Sequence, residues 1–141
     1  EGSLIFRFKN TDMLFAHGSS ELSSDYKIIL DDFFLRYLNV LYNYKNEIEQ
    51  VRIEGHTSSV YSSAKNESEK YAKNKELSTK RANKVVDYVS SIPNNFIIEH
   101  KDWLNDYVKP YGMASDKLIY KQGVEDESLS RRVEFVIIKK K

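Results

Sequence analysis

Val51-Arg52-Ile53-Glu54-Gly55-His56-Thr57-Ser58-Ser59 is the stretch on which the fold turns. Val51 and Ile53 alternate with Arg52 and Glu54, the period-2 pattern of a strand with one buried side, and Gly55 ends the run in a polar loop. The pattern predicts a strand over 50–54. Upstream, Leu30, Phe33, Phe34, Tyr37, Leu38 and Leu41 recur at three and four residues, predicting a helix over 24–45 that Ser23 can cap. Downstream, Ser58 to Asn66 is polar and Ser-rich. Tyr71, Leu77, Val85, Val89 and Ile92 then carry a second helical stripe over 67–91, until Pro93 stops it.

Further out, Leu4, Phe6 and Phe8 alternate with Ile5, Arg7 and Lys9 as a first strand, which the pattern extends toward Met13–Phe15 before a polar turn at 17–21. Val133, Phe135 and Ile137 alternate with Glu134, Val136 and Ile138 as a last strand, followed by the basic tail Lys139 to Lys141. Between these, Trp103, Leu104, Tyr107 and Val108 allow a short helix, or a helix passing into a strand at 107–111, with Pro110 and Gly112 as punctuation. Strands separated by helices of this length predict an α/β fold, a βαβαβ-type single sheet with helices packed on one face. An open sheet of that kind takes ligands in loops at the carboxyl ends of its strands, beside helix N-termini, where an anionic group is favoured. Here that is the loop after Glu54.

The 141 residues, 40% apolar and 13% aromatic, suffice for one domain with a core. Residues 1–10 read as a cloning scar (Glu1-Gly2-Ser3) with a linker or first strand, and 11–141 as the domain proper. With 22 Lys and Arg against 21 Asp and Glu the net charge is +1, which argues against nucleic acid or an anionic membrane as a partner. The absence of cysteine excludes a disulfide framework and thiolate chemistry. No apolar run approaches the ~18 residues needed to cross a bilayer, so membrane contact would come through a segment outside this stretch. His17, His56 and His100 show no metal-ligand spacing, and nothing in the sequence calls for a cofactor.

Four separated pieces then fall in order: Met13-Leu14-Phe15 with Glu21-Leu22-Ser23, Ile53-Glu54-Gly55-His56-Thr57, Leu77-Ser78-x-x-Arg81-Ala82, and Ser130-Arg131-Arg132-Val133-Glu134-Phe135. Together, over roughly residues 11 to 138, they resemble the OmpA-like peptidoglycan-binding domain. The resemblance implies a periplasmic, non-enzymatic module of a Gram-negative envelope. Such a module binds the diaminopimelate residue of the peptidoglycan stem peptide and ties a larger protein, held in the inner or outer membrane, to the cell wall. Within the same fold it also implies the periplasmic domain of a MotB-like stator subunit, which works as a homodimer. By the motifs, the ligand-binding set is His56, Thr57, Ser58, Ser59, Asn74, Leu77, Arg81 and Arg131. In the family the Arg at position 81 pairs with the diaminopimelate carboxylate, for which a guanidinium offers a planar two-bond fork that lysine lacks.

The departures carry weight. Where the family has an Asp for the diaminopimelate ammonium, this chain has Ser58, and a hydroxyl replaces a charge-assisted acceptor. Arg81 follows Ser58 by 23 positions because Tyr61 to Lys73 reads as an insertion, in which Glu67 or Glu69 offers a replacement acid. Asn94 to Lys109 reads as a second insertion. Both would supply a partner surface if the fold had lost its wall ligand. A hydrolase built on His56 and Ser58 lacks a Gly-x-Ser-x-Gly elbow, and an acid/base pair of Glu54 with Asp102 or Asp106 rests on residue type alone. Tyr61, Tyr71 and Tyr88 suit sugar stacking but equally suit a core rim. Arg131 and Arg132 point opposite ways on a strand, and Arg131 is expected to face the ligand.

Overall fold

The computed structural model describes residues 4–8, 11–16 and 18–141. Glu1-Gly2-Ser3 and His17 therefore lie outside the described residues. A four-stranded sheet has the order β1-β6-β2-β3, formed by β1 (Leu4–Phe8), β2 (Ile48–His56), β3 (Val108–Gly112) and β6 (Arg132–Lys139). β6 pairs antiparallel with both β1 and β2, while β2 and β3 run parallel. Parallel neighbours need a crossover. It consists of α3 (Glu67–Ser90), α4 (Asn95–Glu99) and α5 (Lys101–Tyr107).

α2 (Ser24–Asn43) begins where the Ser23 hydroxyl accepts the Tyr26 N–H at 3.0 Å, and it buries Tyr26, Leu30, Phe34, Tyr37, Leu38 and Leu41. Those residues meet the alternate side chains of β6 and β1. Phe135, fully buried, has its ring 5.2 Å from Phe8, 5.4 Å from Tyr37 and 5.7 Å from Phe33. Tilted and edge-on aromatic pairs of this kind add roughly 0.5–1.5 kcal/mol each beyond the area they bury. α3 contributes Ala82, Val85 and Val89 from the same stripe that carries Asn74, Ser78 and Arg81, so one helix face both closes the core and reaches the site.

Three expectations change. Met13 to Phe15 does not continue the first strand: Thr11–Leu14 forms the short α1, and Phe15 bridges Leu22. The reason is burial, because Leu14 and Phe15 are consecutive and both in the core, whereas neighbours in a strand point to opposite faces. Second, β2 extends past Gly55, which pairs with both Gly112 and Val133. Third, the 94–109 insertion carries α4, α5 and the start of β3, and buries Ile97, Leu104 and Val108 in the core.

Gly55 and Gly112 are required where α3 presses on the strand ends. A Cβ on Gly55 would stand 2.5 Å from the Ser78 carbonyl oxygen, and one on Gly112 would stand 2.6 and 2.7 Å from the Thr79 backbone N and Cα. The obstacle is helix backbone, which cannot swing aside. Gly112→Ala is expected to lower stability by about 1–3 kcal/mol in urea unfolding, the range for overpacking. An unchanged midpoint would mean that α3 is not held against the sheet at this point.

Candidate functional site

The loop following β2 is tied down from three directions. Its backbone continues the parallel ladder into the loop after β3, with Thr57 N–H donating to the Ala114 carbonyl at 2.9 Å and Met113 N–H to that of Gly55 at 2.8 Å. From α3, the Ser78 hydroxyl accepts the Ala114 N–H at 3.0 Å, and the Asn74 amide donates to the Ser58 and Val60 carbonyls at 3.2 and 3.4 Å. From β5 (Val124–Glu125), paired with β4 (Tyr120–Lys121), the Glu125 carboxylate accepts both the backbone N–H and the hydroxyl of Ser59.

The loop walls a cavity of about 310 Å³, whose lining includes Thr57, Ser58, Tyr61, Ser62, Ser63, Asn74, Leu77, Arg81, Glu127 and Arg131. Arg81 is 5% exposed. Its Nε donates to the Ser19 carbonyl at 2.8 Å, a terminal nitrogen lies 3.4 Å from the Ala16 carbonyl, and the guanidinium carbon is 4.7 Å from the centre of the Phe15 ring. Arg131 lines the same cavity from its place just after α6 (Glu127–Ser130) and before β6.

Of the eight residues singled out in the sequence, Thr57, Ser58, Asn74, Leu77, Arg81 and Arg131 line this cavity, whereas His56 and Ser59 do not. The amide of Asn74 is engaged in shaping the loop. Of the insertion, Tyr61 to Ser63 lines the cavity. Glu67 pairs with Lys70 and Glu69 accepts the Lys65 N–H, so neither acid reaches the cavity. Tyr71 donates to Asp116 and Tyr88 to Asp31, leaving Tyr61 alone of the three tyrosines in the lining. Sequence reasoning missed Glu125 and Glu127. The available signal was Asp126, three residues before Leu129, whose N–H its side chain accepts as the cap of α6.

Beneath the loop, on the sheet face away from Ile53 and Phe135, lies a buried charged cluster. Glu54 and Glu134 are directly opposite in the β2–β6 register. Arg132 donates to Glu134, as does Arg7 at 2.7 Å, and Arg52 lies 3.2 Å from Glu54. His56 Nε2 is 2.9 Å from Glu54 and 3.7 Å from the nearer Glu134 oxygen, while its Nδ1 has no hydrogen-bond partner among the described residues. Glu54, His56 and Glu134 place ligand atoms within 4.8 Å of one another. Three guanidiniums already offset the two carboxylates, however, so a dication would enter against net positive charge; the cluster is a structural network. His56 faces Glu54 and not Ser58, and the Ser58 hydroxyl accepts the Val60 N–H at 3.3 Å, which leaves no nucleophile–base pair. Glu54, held by His56 and Arg52, is likewise no acid/base partner for α5.

A protein-family model described as the OmpA family matches residues 14–128, most of the chain. The chain belongs to the OmpA family. Domains of this family bind and anchor; they are not enzymes. The Zorya protein ZorB of Escherichia coli is 43% identical over 137 residues, which cover 96% of this chain and 57% of that protein. The chain thus spans little more than half the length of that curated relative. Among solved structures, the cell wall anchor of the T6SS from Pseudomonas aeruginosa superposes with a TM-score of 0.60 at 19% identity, covering 98% of this chain and 82% of that one. The periplasmic domain of Helicobacter pylori MotB does so with a TM-score of 0.62 at 14% identity, covering 97% and 83%. These likenesses show the OmpA-like fold.

Burial alone would raise the Glu134 carboxyl, but the hydrogen bonds from Arg132 and Arg7 and the charges of Arg132 and His56 outweigh it and hold it below its ordinary 4.5. A lowered folded-state pKa makes a contribution to stability that is complete above 4.5 and is lost as the pH falls through the lower folded value. Glu134→Gln is therefore expected to cost about 3 kcal/mol in urea unfolding at neutral pH, by leaving Arg132 buried without its counter-charge. The gap between variant and wild type should close on acidification below 4.5. A gap that widens in acid would contradict the network's assigned role.

Proposed function

We propose that this chain binds the stem peptide of peptidoglycan non-covalently, through its diaminopimelate residue. It thereby anchors a larger, membrane-attached, stator-like protein to the cell wall in the periplasm. The observation that carries the reading is the meeting of Arg81, from α3, and Arg131, from the turn before β6, on one cavity beside Thr57 and Ser58. Diaminopimelate ends in a zwitterionic amino-acid centre. A guanidinium already held in place at the wall of a cavity meets a carboxylate with little ordering left to do. Support for the anchoring role comes from the likeness to a cell wall anchor and to MotB, and from the extensive identity with ZorB. No helix among the described residues is long and apolar enough to cross a membrane, so the membrane attachment in this reading belongs to the remainder of the parent.

A second reading, a fold that has lost its wall ligand and serves as a protein-interaction domain, draws on Ser58 standing where the family has an acid. Co-sedimentation with purified peptidoglycan sacculi separates the two. Wild type is expected to pellet, and Arg81→Lys, which keeps the charge but loses the fork, to retain at most about a tenth of that binding with an unchanged circular dichroism spectrum. Ser58→Asp is expected to pellet more strongly. If wild type stays in solution while Ser58→Asp pellets, the wall-binding reading falls and the interaction reading stands.

A further inference from the structure

We propose that Glu127 is the residue that receives the ammonium group of the bound zwitterion, making the site selective for peptides whose amino-acid terminus is unacylated; this rests on the stem-peptide reading above. Among the described residues, the cavity's charged lining is two guanidiniums and one carboxylate, Glu127, joined by the hydroxyls of Thr57, Ser58, Ser62 and Ser63. A site for a simple anion gains nothing from a carboxylate in its wall, which would repel the ligand. A site for an amino-acid centre needs both signs, an ammonium acceptor set apart from a carboxylate fork.

Glu127, the acid in the first turn of α6, is also held less closely than its neighbours. The cap of α6 is Asp126, which accepts the Leu129 N–H at 2.9 Å. Glu125 is committed to Ser59, Glu69 to the Lys65 N–H, and Glu67 to Lys70. The Glu127 carboxylate reaches the Arg131 guanidinium only at 4.0 Å, beyond hydrogen-bond contact, and its side chain is 54% exposed, so an incoming ammonium can approach it. The acid is thus supplied by the segment between the small hairpin and β6.

The test measures dissociation constants, by calorimetry, for the tripeptide L-Ala-γ-D-Glu-meso-diaminopimelate and for the same peptide acetylated on its free side-chain amine. Wild type is expected to prefer the free amine by about tenfold or more, the scale of one charge-assisted contact. Glu127→Gln should weaken the free-amine peptide by a similar factor and bind both forms alike, while Glu67→Gln, an acid outside the cavity, should behave as wild type. Undiminished preference in Glu127→Gln, or equal losses in Glu127→Gln and Glu67→Gln, overturns the assignment while leaving the stem-peptide reading intact. If wild type binds neither peptide, that reading fails and this inference fails with it.

Discussion

Glu54 and Glu134 face each other across the β2–β6 ladder, and two carboxylates at that spacing repel unless cations are built in around them. Arg132 answers Glu134 from the same strand, Arg7 reaches in from β1, and Arg52 flanks Glu54, so all three strands are joined through one polar cluster. The consequences for the site are geometric. With Arg132 drawn inward to Glu134 and to the carbonyls of Ser130 and Lys117, its neighbour Arg131 is directed to the cavity. His56, hydrogen-bonded to Glu54, holds the end of β2 just before Thr57 and Ser58. Thr57, Ser58 and Arg131 in the cavity wall thus adjoin a network none of them belongs to.

Such a network is costly to bury, and a well-packed apolar replacement of similar volume is often as stable. Its value here is directional. Apolar contacts would hold β2 against β6 without determining which of two adjacent arginines enters the protein. The same logic applies to the loop: Asn74, Ser78 and Glu125 spend their polar groups on loop backbone and on Ser59, so the cavity wall is already ordered before a ligand arrives. Ordering completed on folding is not charged against binding.

The two long helices, their limits and the last strand were legible because their apolar residues keep one period throughout. Arg81 and Arg131 were legible through the motifs that carry them. What escaped had weak or conflicting local signals. Leu14 and Phe15 look like strand residues, but both belong to the core. Gly55 looks like a strand end, but it is the residue that lets α3 approach. The hairpin of β4 and β5 has only two residues per strand, too few for a periodic pattern, and Gln122 and Gly123 at its turn are the sole cue. Glu125 and Glu127 meet the Thr57–Ser59 loop and the cavity through contacts that span some 60 residues of chain, which no local pattern encodes. His56 was singled out because it sits in a motif, yet its ring is buried among charges and supports the loop from below.

The central claim is that the cavity between α3, the loop after β2 and the turn before β6 receives the stem peptide. Titration of the isotope-labelled chain with a diaminopimelate-containing muropeptide, followed by NMR, tests it most directly. The account predicts saturable shifts confined to the backbone of Thr57, Ser58, Tyr61 to Ser63 and Glu127 and to the side-chain N–H signals of Arg81 and Arg131, with the core strands unmoved. Saturable shifts centred elsewhere on the surface, or none at all, would contradict it.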